Sequence, residues 1–450
     1  MNSTNTVSEE KTSLKRTLGP LMLWGLGVGY VISGMYFGWN LGLAEGGTYG
    51  LAIATVLIII MYVTFTPGYT ELACAIPKAG GAFDYATRAF GSHWGFIGGM
   101  AQNIEFIFAP PAIAFAIGAY FHIFLPSVPV VVIAILAYLL FTTLNIVGVK
   151  AAATFELLIT ILAVAELLIF AGITIPHFEM ANFQANPLPK GWTGIFAAMP
   201  FAIWFFLAIE GIANVAEETI NPQRNVVLGF GSAMLTLVIL CILTFGSSVG
   251  VAGWEAIVFP SPGAEASDSP LPLALNHIVG QDDIMYHLLV TVGLFGLVAS
   301  FHGIILAAGR STYEFGRVGH APRILGKVHK KFKTPSNALL LNMGIGIIAL
   351  LTGKTAEIIT IACFGALSLY IISTLALFKL RQSEPNLERP FKTPLYPLFP
   401  AIALLIASVA MVSMIIYNIE LALIYFAILL ICYLGFRFFV MKSKETPKTV

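Results

Sequence analysis

The chain has 450 residues, of which 58% are hydrophobic and 10% charged, with a formal net charge of +1 and a mean hydropathy of +0.86. Soluble globular proteins carry about 25% charged residues. A water-soluble fold is therefore excluded, and the near-neutral charge gives no reason to expect a nucleic acid partner.

Runs of about 20 apolar residues, long enough for a helix to cross ~30 Å of hydrocarbon, are predicted at 18–40, 49–73, 94–124, 128–147, 152–175, 193–217, 226–252, 285–309, 336–352, 356–379, 395–417 and 419–440. The first follows a polar tail with no small-residue cleavage site behind it, so it reads as a membrane helix and not a removable leader. With the start of the chain placed in the cytoplasm, all but Lys190 and Lys354 of the 24 lysines and arginines fall in cytoplasmic segments. That asymmetry predicts twelve spans with both ends cytoplasmic. Cys74, Cys241, Cys363 and Cys432 lie in or beside apolar runs without a CxxC spacing, which suggests neither a disulfide nor a metal site.

Catalytic machinery finds no place in this layout. Gly353–Thr355 reads GKT, but a phosphate-binding loop needs glycine where Ile348 stands. The histidines show no metal-ligand spacing, and no cofactor is expected. The predicted class is a gradient-driven carrier and not an enzyme.

Two spans carry signs of interruption. The first is dense in glycine (Gly25, Gly27, Gly29, Gly34, Gly38, Gly42) and places Ser33, Gly34, Met35 and Tyr36 near its middle. Glycine costs about 1 kcal/mol in a helix interior relative to alanine, so the span is expected to open there. The sixth span, read in the opposite direction across the membrane, contains Ile209, Glu210 and Gly211 after a run of aromatics that includes Trp204. Breaks at matching places in two antiparallel halves point to a solute site between them. A carboxylate at that depth costs about 2.5–3.5 kcal/mol, a cost that persists when the group meets a cation, a proton or a polar cavity.

The stretches YTELACAIPKAGGAFDYATRAFG (69–91), NIVGVK (145–150) and EETINPQRNV (217–226) resemble motifs of the amino acid–polyamine–organocation permeases, in the same order and spacing. LGVGYVISGMYFGWNLGLAEGG and PFAIWFFLAIEGIANVAEET are similar to bacterial ethanolamine permeases. The resemblance implies an all-α integral membrane protein with a five-plus-five inverted-repeat, LeuT-like core. Helices one and six would be discontinuous, with repeats at 18–177 and 193–380, two added helices at 395–440, and cytoplasmic tails at 1–17 and 441–450. It places Ser33, Gly34 and Met35 on the span-one opening, Trp204 on an aromatic gate, Asn103 on a polar site of span three and Glu210 on an acidic position of cation-handling relatives. It also implies a bacterial inner-membrane location and a coupling proton or sodium ion. Where proton-coupled relatives carry a lysine in span five, this chain has Ala163, with Glu166 nearby. Glu166 then reads either as a substitute or as a packed acid bonded to a neighbouring span.

The charge balance favours a small cation such as ethanolamine. Glu210 and Glu105 lie within spans, and no buried lysine or arginine is expected on a core helix. Trp204, Tyr36, Trp39 and Phe206 could add cation–π contact of about 0.5–2 kcal/mol. Glu105 either joins the site or braces the helix before Pro110 and Pro111, and His302 reads as a core histidine or, like Glu210 and Glu166, as a candidate for proton coupling.

Overall fold

The computed structural model describes residues 16–78, 80–148 and 152–441. Most of the two expected tails, Lys150 and part of the NIVGVK motif lie outside those residues. The first span is α1 (Pro20–Val31), a short α2 (Ser33–Tyr36) and the start of α3 (Trp39–Ala75), which turns at Gly47 and runs on as the second span. There follow α4 (Ala82–Phe90), α5 (Ser92–Phe124), α6 (Val130–Val147), α7 (Ala152–Thr174) and α8 (Met180–Phe183). The sixth span is α9 (Thr193–Ala197), α10 (Met199–Trp204) and a 3₁₀ stretch, Ile209–Glu218. Then come α11 (Pro222–Ala252), α12 (Trp254–Val258), α13 (Pro270–Asn276), α14 (Ile284–Arg317), α15 (Ser336–Leu350), α16 (Thr355–Ser383), α17 (Leu398–Tyr417) and α18 (Ile419–Gly435). Among the described residues ten helical segments are long and apolar enough to cross a membrane, and α1 and α15 are shorter apolar helices, which together account for twelve spans.

The outer helices α6, α17 and α18 leave leucine, isoleucine and valine on the surface, as at Leu136, Leu405 and Ile431. Lipid is the solvent that makes such a surface stable. The central helices α5, α14, α16 and the sixth span are mostly buried, and their polar groups must find partners inside the protein.

Contacts sort the loops into two ends. At the basic end, Arg88 forms a bidentate pair with Glu384, Arg310 meets Glu218, and Glu218 accepts the backbone N–H groups of Thr17 and Leu18. Glu71 is buried on α3 and takes Arg381 at 2.7 Å and Arg389 at 3.2 Å, together with the hydroxyl and N–H of Thr393. At the other end, Lys190 pairs with Glu45, and Thr355 donates to Asp268 at 2.9 Å. Burial there pushes the Asp268 carboxyl up to about 6, against the pull of the Thr355 bond.

Candidate solute site

The first span opens in two steps. At Ile32 the regular ladder is interrupted by Ser300 of α14, whose hydroxyl donates to the Gly29 carbonyl at 2.6 Å and accepts the Ser33 N–H at 2.9 Å. A neighbour's hydroxyl thus stands in for one backbone bond of the helix. The full break comes later than the glycine pattern suggests, at Phe37, which is extended, and Gly38, which has φ +87°. The carbonyls freed there are occupied: Trp39 Nε1 donates to Met35 O at 3.0 Å, Tyr120 to Tyr36 O at 3.2 Å and Trp204 Nε1 to Phe37 O at 3.1 Å. Trp204 also packs edge-on to Phe37 at 5.4 Å, so it seals the break as a capping donor.

The sixth span breaks at 205–208, ahead of the expected Glu210–Gly211. Ala208 takes φ +75°, a conformation alanine rarely adopts, and the 3₁₀ stretch starts at Ile209. Gly211 serves packing instead: an added Cβ would lie 2.8 Å from the Tyr30 ring. The two breaks touch through Gly34, where a Cβ would sit 2.5 Å from the Trp204 carbonyl and 3.1 Å from Phe205 Cα. Only glycine permits that approach of backbone to backbone.

Glu210 and Glu105 come together beside this contact. Both side chains are fully buried, with Glu210 on the 3₁₀ stretch and Glu105 on α5, next to the backbone of Ala208. Tyr370 of α16 donates to Glu210 Oε2 at 3.0 Å and bonds the Tyr62 hydroxyl of α3 at 3.0 Å. Gly365 lets α16 lie against the backbone of α5 at Ala101 and Glu105, which sets Tyr370 at the right depth. Beyond each other and the backbone at Ala208 and Glu210, neither Glu105 oxygen nor Glu210 Oε1 meets a hydrogen-bond donor among the described residues. Leaving such groups unsatisfied costs about 1–3 kcal/mol each, more when charged, and two like charges in a dry site repel. The pair is therefore built for something positive between its oxygens, a proton or a small cation, with Tyr62, Phe65, Tyr69 and Phe206 around it.

Other expected residues fall elsewhere. Asn103 turns away from Glu210: it donates to Gly99 O on its own helix and accepts from Thr312, which reaches on to Asn342. Two residues along a helix lie about 200° apart, so α5 cannot aim Asn103 and Glu105 at one point. Tyr36 binds Glu166 Oε2 at 2.6 Å and the Ala163 carbonyl at 3.1 Å. Glu166 is thus bonded to a neighbouring span, through Tyr36 of the first. Ser33 contributes its backbone at the first step, and Ile209 is buried at the start of the 3₁₀ stretch. His302 lies away from Glu210, facing Glu156 of α7 at 3.8 Å. Glu156, Ser300, Tyr62 and Tyr370 were not singled out in the sequence. Only Glu156 had a signal there, as a second charge in the apolar run of span five. On the basic side, a cavity of about 380 Å³ reaches Tyr30 and Gly211 between Asn214, Glu218, Arg310 and Arg317.

Residues 18–439 match the amino acid permease family model. The chain is 28% identical to an uncharacterized transporter of Rhizobium meliloti over 91% of this chain and 89% of that one. It is 25% identical to the branched-chain amino acid permease BcaP of Bacillus subtilis (87% of each chain). With the methylthioribose transporter of the same organism it shares 26% (89% and 88%). The family match spans nearly the whole helical bundle, both breaks and the carboxyl pair, and the chain belongs to the amino acid permease family, as a multi-pass membrane transporter and not an enzyme.

Proposed function

We propose that this permease takes up ethanolamine or a closely related small amine across the bacterial inner membrane by alternating access, with its basic end in the cytoplasm and an ion gradient, proton or sodium, as the drive. The observation that carries the reading is the Glu105–Glu210 pair beside the contact of the two breaks. Its unsatisfied oxygens suit an ammonium with several N–H donors. Tyr62 and Tyr370 supply hydroxyls for a short polar tail. Among the described residues no lysine or arginine is paired with either carboxyl, which fits a solute without a carboxylate of its own. The arrangement of α1–α7 and of α9–α16 as two inverted repeats is part of the same proposal.

The relatives favour a second reading, an amino acid permease, in which the acid pair takes the α-ammonium of an amino acid. Uptake by purified protein in liposomes, with ethanolamine, branched-chain amino acids and diamines in competition, separates the two. Saturable ethanolamine uptake that the amino acids do not inhibit is expected. Uptake of an amino acid with none of ethanolamine would overturn the choice of solute.

A further inference from the structure

Toward the basic end from the carboxyl pair, the elements that surround it carry a second tier of polar groups. On α5, Gln102 stands one turn, about 4.5 Å of rise, from Glu105. On α3, Tyr69 stands two turns, about 10.5 Å, from Tyr62. On the 3₁₀ stretch, Asn214 lies four residues, about 8 Å, beyond Glu210. The three converge. A Cβ built on Gly81, in the turn ahead of α4, would lie 2.6 Å from Asn214 Oδ1, 3.2 Å from the Tyr69 hydroxyl and 3.4 Å from Gln102 Oε1. Tyr69 and Gln102 are each 1% exposed. Among the described residues Gln102 Nε2 and Asn214 Oδ1 have no hydrogen-bond partner, and the Tyr69 hydroxyl has only the Ala82 backbone. Buried polar groups are ordinarily satisfied, so three left open around one point make a site for a polar ligand.

We propose that Gln102, Asn214 and Tyr69 form a second solute subsite, which takes the primary ammonium from the Glu105–Glu210 pair and passes it to the cavity on the basic side. The inference rests on the carrier reading and names the solute group that this tier holds. Asn214 Oδ1, Gln102 Oε1 and the Tyr69 oxygen accept N–H groups of an ammonium, while Gln102 Nε2 and the phenol donate to a hydroxyl on the same short solute. No member is charged, and hydrogen bonds to neutral partners are weaker than those to a carboxylate. The lower tier therefore holds a cation less tightly than the acid pair does. A weaker site next along the path lets the solute leave a strong one without being trapped there.

Tyr69 joins the two tiers. It feels the charge of both carboxyls, and its ring lies 5.4 Å from that of Tyr85 on α4. Asn214 joins the lower tier to the outside, since it also lines the 380 Å³ cavity. The positive end of α4 would by itself repel an ammonium. Asp84 in the first turn offsets it, accepting the Gly80 N–H at 3.1 Å. Arg310 and Arg317, which line the cavity, are each paired with a carboxylate, Glu218 and Glu314. In this structure Gly81 packs over the convergence point with φ +54°, so an occupant of the tier displaces the turn at 80–81.

Substitutions at Asn214 push the tier in opposite directions. Binding and washout of tritiated ethanolamine and of tritiated isoleucine are measured on purified protein, and uptake of each in liposomes. Asn214→Asp puts a carboxylate in the lower tier and should tighten binding of the solute that the wild type takes by about tenfold, with washout slowed to match. Asn214→Leu and Gln102→Leu should keep binding at the acid pair within about threefold of wild type and lower maximal uptake by about tenfold or more. A purely structural role for Asn214 gives no tightening in the aspartate variant. Wild-type maximal uptake in both leucine variants would overturn the subsite, as would wild-type binding and washout in Asn214→Asp. If the leucine variants fail to fold, Asn214→Asp and Tyr69→Phe carry the comparison, with lowered maximal uptake expected in Tyr69→Phe. Binding of isoleucine without ethanolamine would overturn the choice of solute, and the same variants then decide the subsite with isoleucine. Binding of neither would overturn both.

Discussion

Replacing Gly34 by alanine tests whether the two breaks work as a closed contact. The new carbon would start 2.5 Å from the Trp204 carbonyl oxygen, whereas ordinary contact begins at 3.4 Å, a shortfall of 0.9 Å. Phe205 Cα, at 3.1 Å, blocks the obvious escape. Because both obstacles are backbone, no side chain can rotate away and the breaks themselves must part. Overpacking of this kind costs about 1–3 kcal/mol, which lowers the population of the closed contact by about 5–150-fold. Gly231 on α11 is the control, since a Cβ there meets nothing within 4 Å and helix propensity alone favours alanine by up to about 1 kcal/mol. Uptake in liposomes and thermal unfolding in detergent would be measured for both variants. The expected result is a large loss of uptake with a lowered unfolding temperature for Gly34→Ala, and neither for Gly231→Ala. Wild-type uptake and stability in Gly34→Ala would refute the view that this contact forms in the transport cycle.

Glu210→Gln and Glu105→Gln should each weaken binding of the amine by about 10–100-fold, the value of a charge-assisted hydrogen bond of 1.5–3 kcal/mol. In titration calorimetry the double variant should lose less than the sum, because the two acids share one ligand. Ser300→Ala leaves the buried Ser33 N–H without its acceptor and should destabilise by about 1–3 kcal/mol in chemical or thermal unfolding, with recovery in Ser300→Thr. Asp268 gives a pH prediction: its carboxyl is raised from 3.8 to about 6 in the folded protein, so its stabilising contribution is complete below about 4 and is lost as pH rises through 6. Asp268→Asn should flatten unfolding temperature against pH across that window, and an unchanged slope would refute the burial argument.

The spans and the presence of an intramembrane acid were legible because lipid imposes length and hydropathy so strongly. Glu210 and Glu105 stood out as charges that hydrocarbon does not tolerate. Their pairing was not legible, since it depends on the crossing of α5 and α16 at Gly365 and on the turn at Ala208. The breaks lie away from the positions the sequence suggests for a related reason. Glycine density suggests an opening, yet Gly34 and Gly211 admit a neighbouring backbone and the Tyr30 ring. The left-handed residue of the sixth span is an alanine, held there by its surroundings. Asn103 faces away from Glu210 through helix geometry alone, and His302 is recognisable in the sequence as a titratable group but not as the partner of Glu156.

The junction at Glu71 divides the molecule into what can move and what cannot. One buried carboxylate there answers to Arg381 of α16 and to Arg389 and Thr393 of the strap leading to α17. Pulling a partner away would strand charge in a dry interior, at about 3–5 kcal/mol. The second span, the tenth span and the strap therefore behave as a single chassis at the basic end. Under the proposed alternating access, a gate at the basic end is expected to move α1, the 209–218 stretch and α14 against that chassis, because parting α3 from α16 strands the Glu71 charge.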